Sequence, residues 1–239
     1  MSEPVQHAFK TSTLQLETHP VEHPVRDLPW QAEPVNSTVS VFFIVLVMLN
    51  IRNFMEVVPA AAQALLRWRA NFKLESSVHL ARARNICAVL CGVPFCMSAN
   101  RYAFYDPEYL STVPSWAAMP ISVAVGLGYF LLRFFLAWQL EPRSRNREAY
   151  RVSNRAYYSM FVLQAMAILL TGMLLSMFGM DAVIIRRLYW VELAFFYGVF
   201  LIRKCQILST FCNPFTTLLY LCALELLPTG LLAASAVFL

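Results

Sequence analysis

SWAAMPISVAVGLGYFLLRFFLAWQ (115–139), then EPRSRNREAYRVSNRA (141–156), then YYSMFVLQAMAILLTGMLLSMFG (157–179): these consecutive stretches decide the fold of this chain. A hydrocarbon layer about 30 Å thick is crossed by roughly 17–25 mostly apolar residues wound as helix. The outer two stretches each meet that length, and the segment between them is crowded with arginine. Working outward, the same alternation continues, with apolar runs near 35–52, 85–104, 182–202 and 214–238. The 239-residue chain is 59% hydrophobic and has a mean hydropathy of +0.55. Soluble domains are nearer 45–50% apolar and carry more charge. The reading is an all-α, polytopic transmembrane helix bundle of about six spans over residues 35–239, preceded by a Pro-rich polar tail over 1–34.

Lysine and arginine concentrate on the cytoplasmic side of membrane proteins. Here they fall after the first run (Arg52, Arg67, Arg69, Lys73, Arg82, Arg84), after the third (Arg143, Arg145, Arg147, Arg151, Arg155) and after the fifth (Arg203, Lys204). The opposite side carries Lys10, Arg26 and Arg101, and an acidic tail with Glu3, Glu17, Glu22, Asp27 and Glu33. Both termini are therefore expected outside the cytoplasm, with the first run as an uncleaved anchor, since no early signal-peptide-like apolar region is present. The net charge of +5 is accounted for by topology, so no nucleic-acid partner is expected. Cys87, Cys91, Cys96, Cys205, Cys212 and Cys222 form no C-x-x-C pair and read as small packing residues, without a disulfide framework or metal site. His19 and His23 have the spacing of a metal pair, but Pro20 and Pro24 forbid the helix that would align them. No cofactor is expected.

Residues 53–72 place Val57, Ala61, Leu65 and Leu66 near one stripe, ending in Arg67, Trp68 and Arg69. This pattern predicts an amphipathic helix lying on the cytoplasmic membrane surface; the alternative is a continuation of the first span, supported by an Arg52/Glu56 pair at i, i+4. Small residues recur every four positions at Ala88/Gly92/Cys96, Ala124/Gly128, Gly172/Ser176 and Gly230/Ala234, a spacing that lets helices approach closely. Pro94 and Pro228 are predicted to kink the second and sixth spans. Arg147, Arg151 and Arg155 share one i, i+4 row beside Tyr150, Asn154, Tyr157 and Tyr158. That row has the chemistry to hold anionic lipid headgroups or a phosphorylated ligand, and an ordinary positive-inside loop has the same composition.

Ionisable side chains within apolar runs carry the most information, each costing about 2.5–3.5 kcal/mol at mid-bilayer on insertion scales. Arg133 lies close enough to a span end to snorkel, as do Arg186 and Arg187. Glu192 and Glu225 sit near the middle of their runs on short side chains and are expected to face the bundle interior. Arg133, Glu192 and Glu225 form the candidate intramembrane charge cluster, either an interhelical clamp or part of a proton path. Pro228 cannot donate to the Leu224 carbonyl, which places a free acceptor beside Glu225.

The closing YLCALELLPTGLL, with Tyr220, Leu221, Cys222, Glu225 and Pro228, resembles the C-terminal signature of the bacterial membrane family catalogued as domain of unknown function 4271. Thr229 departs from the aliphatic residue expected there. The arrangement of one span, an arginine-rich amphipathic stretch and five further spans is similar too, over roughly 36–239. The resemblance implies a bacterial inner-membrane location and no assigned activity or catalytic residues.

Three functional classes follow. A non-catalytic scaffold or subunit of an envelope complex, binding an envelope protein or a second copy, accounts for the packing residues and the tail. An ion-coupled carrier would use Glu192, Glu225 and Arg133, although no repeat relates the halves. A lipid-modifying enzyme is disfavoured: His79 alone lies outside the tail, and no H-E-x-x-H, G-x-S-x-G or phosphate-cradling glycine loop occurs.

Overall fold

The computed structural model describes residues 30, 33–103, 105, 113–141, 147–210 and 213–238. The Pro-rich tail, including His19 and His23, lies outside them apart from Trp30, Glu33 and Pro34. Among the described residues the regular structure is helical: α1 (Pro34–Leu49), α2 (Ile51–Leu66), α3 (Ala70–Ser76), α4 (Val78–Arg101), α5 (Ser115–Gln139), α6 (Arg147–Met177), α7 (Ala182–Ser209), α8 (Pro214–Leu221), a π-helical turn (Cys222–Leu226) and α9 (Leu227–Phe238). Four stretches are long and apolar enough to cross a membrane: Val78–Arg101, Trp116–Gln139, Tyr150–Met177 and Pro214–Ser235. The α1–α2 pair makes a fifth if taken as one broken span. The chain is thus a membrane protein with several apolar helices whose outer faces expose large hydrophobic side chains such as Leu127, Leu131, Phe134, Phe135 and Trp138.

The helices run beyond the apolar runs. α4 begins at Val78, where the Ser77 side chain accepts the Leu80 N–H at 3.4 Å, an N-cap that ties down an otherwise orphan donor. α6 begins at Arg147 and α7 continues to Ser209, so basic residues expected in loops belong to helices. Gly179, at φ +65°, closes α6 in a conformation that a side chain would strain. The Asp181 carboxylate then accepts the Val183 N–H at 3.5 Å and opens α7.

At Asn50 the chain turns by 76° between α1 and α2. The Asn50 side chain donates to the Leu46 carbonyl at 2.9 Å and accepts from the Asn53 side-chain amide at 3.1 Å, tying the two helices together at the bend. Arg52 and Glu56 do pair, at 3.4 Å, yet the first helix does not continue straight through. The stripe expected to face lipid turns inward instead. Phe54, Val57, Ala61 and Ala64 are buried, and Leu66 is exposed. Phe54 and Val57 pack with Ala83, Cys87 and Cys91 of α4 and with Phe161, Val162 and Ala165 of α6. Arg203 of α7 caps the far end of α2, donating to the Leu65 and Leu66 carbonyls at 2.9 Å each.

The close helix approaches fall at two glycines. A methyl on Gly126 would meet the Cys96 sulfur, and one on Gly172 would overlap the Tyr189 hydroxyl, whereas Gly92, Gly128 and Gly230 face open space. Four-residue spacing of small side chains therefore located Gly172 and Cys96 but not the contact surface as a whole. α4 runs unbroken through Pro94.

Candidate functional site

The buried charges meet where α5, α6, α7 and the π turn come together. α5 turns Ala118, Ser122, Arg133 and Ala137 inward, two pairs at four-residue spacing separated by about three helical turns, while its apolar bulk faces out. Arg133 is 3% exposed, so it does not snorkel; its guanidinium carbon lies 3.5 Å from the centre of the Tyr157 ring. Its Nε donates to Glu225 Oε2 at 3.3 Å, and its Nη2 donates to Oε1. Lys204 of α7, 1% exposed, donates to the same Oε1. Glu225 itself is fully buried.

The π turn explains how Glu225 reaches this position. The Leu227 N–H reaches back five residues to the Cys222 carbonyl. The widened register falls immediately before Pro228, which has no N–H to continue an ordinary α-helical ladder. The predicted break at Pro228 is thus a one-turn bulge that carries Glu225 inward. Beside it the hydroxyls of Tyr129 and Thr229 lie 3.3 Å apart, linking α5 to α9.

Two cations sharing one carboxylate leave an excess of positive charge in a water-poor site. Aromatic faces offset part of it. Tyr157 stacks on Arg133, while Phe200 lies 5.9 Å from the Arg133 guanidinium carbon and 5.8 Å from the Lys204 nitrogen. Both carboxylate oxygens are occupied, and the partners come from different helices. Such an arrangement fastens the C-terminal segment to α5 and α7.

Glu192 does not join Arg133 and Glu225. It precedes Lys204 by 12 positions on α7, about 18 Å along a helix axis. Its Oε1 accepts from the Thr171 hydroxyl at 3.2 Å, and its buried Oε2 has no hydrogen-bond partner among the described residues. Arg186 and Arg187 are exposed.

A second charged centre lies at the basic end of the bundle. Glu75 of α3 accepts from the buried Arg84 at 3.0 Å and from Arg155. Arg147 donates to Glu141 at 2.8 Å, which holds the Glu141 carboxyl below its ordinary range. Tyr150, expected beside the arginine row, is buried and donates to the Ala137 carbonyl at 2.8 Å. Lys204 and Arg84 were missed as site residues because basic residues after apolar runs read as loop charges, and Glu75, between two such runs, carried no signal of its own. The signal available was helical phase: Phe200 and Lys204 are four residues apart, as are Arg84 and Ala88, placing each charge on an apolar face.

No family model, curated protein or solved structure matches this chain.

Proposed function

We propose that the chain is a non-catalytic, six-span protein of a bacterial inner membrane that serves as a scaffold or subunit of an envelope complex. The observation that carries this reading is the saturated Arg133–Glu225–Lys204 cluster. A carboxylate engaged at both oxygens by cations of two other helices is suited to a fixed assembly and poorly suited to repeated loading and release of a proton or cation. The carrier reading also needs Glu192 in the same cluster, and it lies elsewhere on α7.

In this reading α7 is the fifth span and α1 the first. α7 is long enough at 28 residues, roughly 42 Å. Its charges are the reason that it reads weakly by composition: Arg186 and Arg187 fall at one end, Lys204 is buried against Glu225, and Arg203 caps α2. The end bearing Arg67, Lys73, Arg84, Arg147, Arg151 and Arg155 faces the cytoplasm, and both termini lie opposite. α2 then lies across the cytoplasmic end, roofing α4 and α6. The bacterial location rests on the resemblance of the closing YLCALELLPTGLL.

The test is mild extraction of tagged full-length protein from its native membrane, followed by mass spectrometry of what remains bound. A stoichiometric protein partner, lost on deletion of residues 1–29 while the bundle stays folded, is the expected result. Acidification of proteoliposomes coupled to uptake, abolished by Glu225→Gln in a folded protein, would overturn it.

A further inference from the structure

The basic end of the bundle holds two adjoining cavities separated by the Arg147, Arg151, Arg155 row. One, of about 770 Å³, lies between that row and α3 and is lined by Lys73, Glu75, Arg147, Arg151 and Arg155. The other, of about 220 Å³, lies between the row and the end of α5, where Phe134 and Trp138 line it. Phe134 and Trp138 are 64% and 65% exposed, so the smaller cavity continues onto the apolar outer surface of α5.

The charges are unequally spent. Glu75 is matched by Arg84 from beneath and by Arg155. Arg147 is held by Glu141, which also lines the smaller cavity. Lys73 and Arg151 make no ion pair at contact distance among the described residues, although the Arg151 charge also acts on Glu141, and both are exposed into this space. Asn154 lines the smaller cavity and has a buried Oδ1 with no hydrogen-bond partner among the described residues.

We propose that this pair of cavities binds an anionic phospholipid, its phosphate held by Lys73, Arg147, Arg151 and Arg155 and its chains running out past Phe134 and Trp138. Arginine offers a fork of donors that matches two phosphate oxygens at once, and lysine adds a point charge. The larger volume falls within the range that holds a small ligand or headgroup. The Glu75 bridge is the positioning element: it draws Arg155 toward α3 and keeps the row spread. The apolar exit on one side of the row and the cationic chamber on the other favour an amphiphile over a free anion.

The experiment uses the full-length protein in nanodiscs of phosphatidylcholine with one part in five phosphatidylglycerol, then measures retained lipid by native mass spectrometry. The wild type should retain phosphatidylglycerol beyond its share of the disc, and Lys73→Gln/Arg151→Gln should lower that preference roughly thirtyfold, in line with the attraction of each of the two basic residues for anionic lipid. Arg151→Lys, which keeps the charge and loses the fork, should fall between. Arg82→Gln removes an exposed charge from the same end of the bundle and should leave retention unchanged. Both site residues are exposed, and unfolding midpoints of each variant confirm that the fold is intact. Retention of the two lipids in proportion to their abundance in the disc, or an equal loss with Arg82→Gln, would overturn the proposal. Displacement of phosphatidylglycerol by millimolar inorganic phosphate, with phosphate alone stabilising the lipid-free protein, would overturn the lipid assignment in favour of a soluble phosphate ligand.

Discussion

Replacing Glu225 by glutamine strips the negative charge from between Arg133 and Lys204 while keeping the side chain's length. At the 3.3 Å between Arg133 Nε and Glu225 Oε2, and an effective dielectric of about 20, one unit-charge pair contributes roughly 5 kcal/mol before desolvation is counted. Removing one partner of a buried pair costs about 3–5 kcal/mol, because the other charge stays buried without compensation. Here two cations are stranded together and repel each other, so Glu225→Gln is expected at the upper end. Lys204→Met is the informative contrast. It leaves a one-to-one Arg133–Glu225 fork, removes the cation–cation repulsion and substitutes an apolar side chain of similar length, so its cost should stay below about 1.5 kcal/mol. The assay is reversible unfolding in mixed micelles titrated with a denaturing detergent, followed by helical circular dichroism. Glu225→Gln within 1 kcal/mol of wild type, or Lys204→Met as damaging as Glu225→Gln, would refute a charge clamp.

Gly172→Ala should destabilise by about 1–3 kcal/mol, since the added methyl overlaps the Tyr189 hydroxyl; Tyr189→Phe should restore much of that loss in the double variant, read by the same unfolding titration. Asn100 accepts from the Trp30 indole at 3.0 Å and donates to Ser122 at 3.1 Å. Asn100→Ala should therefore cost about 1–3 kcal/mol and speed hydrogen exchange at the Trp30 indole N–H. The Glu141 carboxyl, hydrogen-bonded by Arg147, titrates below its usual 4.5. Its folded value lies below its unfolded one, so the contribution is present above about pH 4.5 and disappears as pH falls through the lowered value. Carboxyl carbon NMR should find that lowered midpoint, and Arg147→Gln should return it to the ordinary range.

The helices and their membrane class were legible because both follow from runs of apolar residues, and a run long enough to span has few alternatives. Their ends were not, since hydropathy reports the apolar middle of a helix and not where the hydrogen-bond ladder stops. α6 starts ten residues before the apolar run that marks it, at Arg147 rather than Tyr157, and α7 ends seven residues after its own, at Ser209 rather than residue 202. Both extensions lie outside the apolar runs, although the i, i+4 spacing of Arg147, Arg151 and Arg155 already has helical period. The amphipathic stripe around Val57 and Ala61 was legible as a stripe, but a periodic pattern carries no information on whether lipid or protein covers it. Tertiary packing chose α4 and α6.

The charge cluster divides along the same line. Arg133 and Glu225 stood out because a charge inside an apolar run costs free energy unless it is compensated, and that argument is local to the sequence. Which compensation each found depends on helix rotation and register, which are not. Glu192 looked equivalent to Glu225 by position, yet it is satisfied in part by Thr171, about 18 Å along α7 from Lys204. Lys204 looked equivalent to Arg203 by position, yet a rotation of about 100° between successive helical residues sends the lysine into the core and the arginine to the end of α2. A positive-inside count treats such neighbours alike. The count bears on orientation alone, whereas one residue of helical phase decides which cation becomes part of the fold.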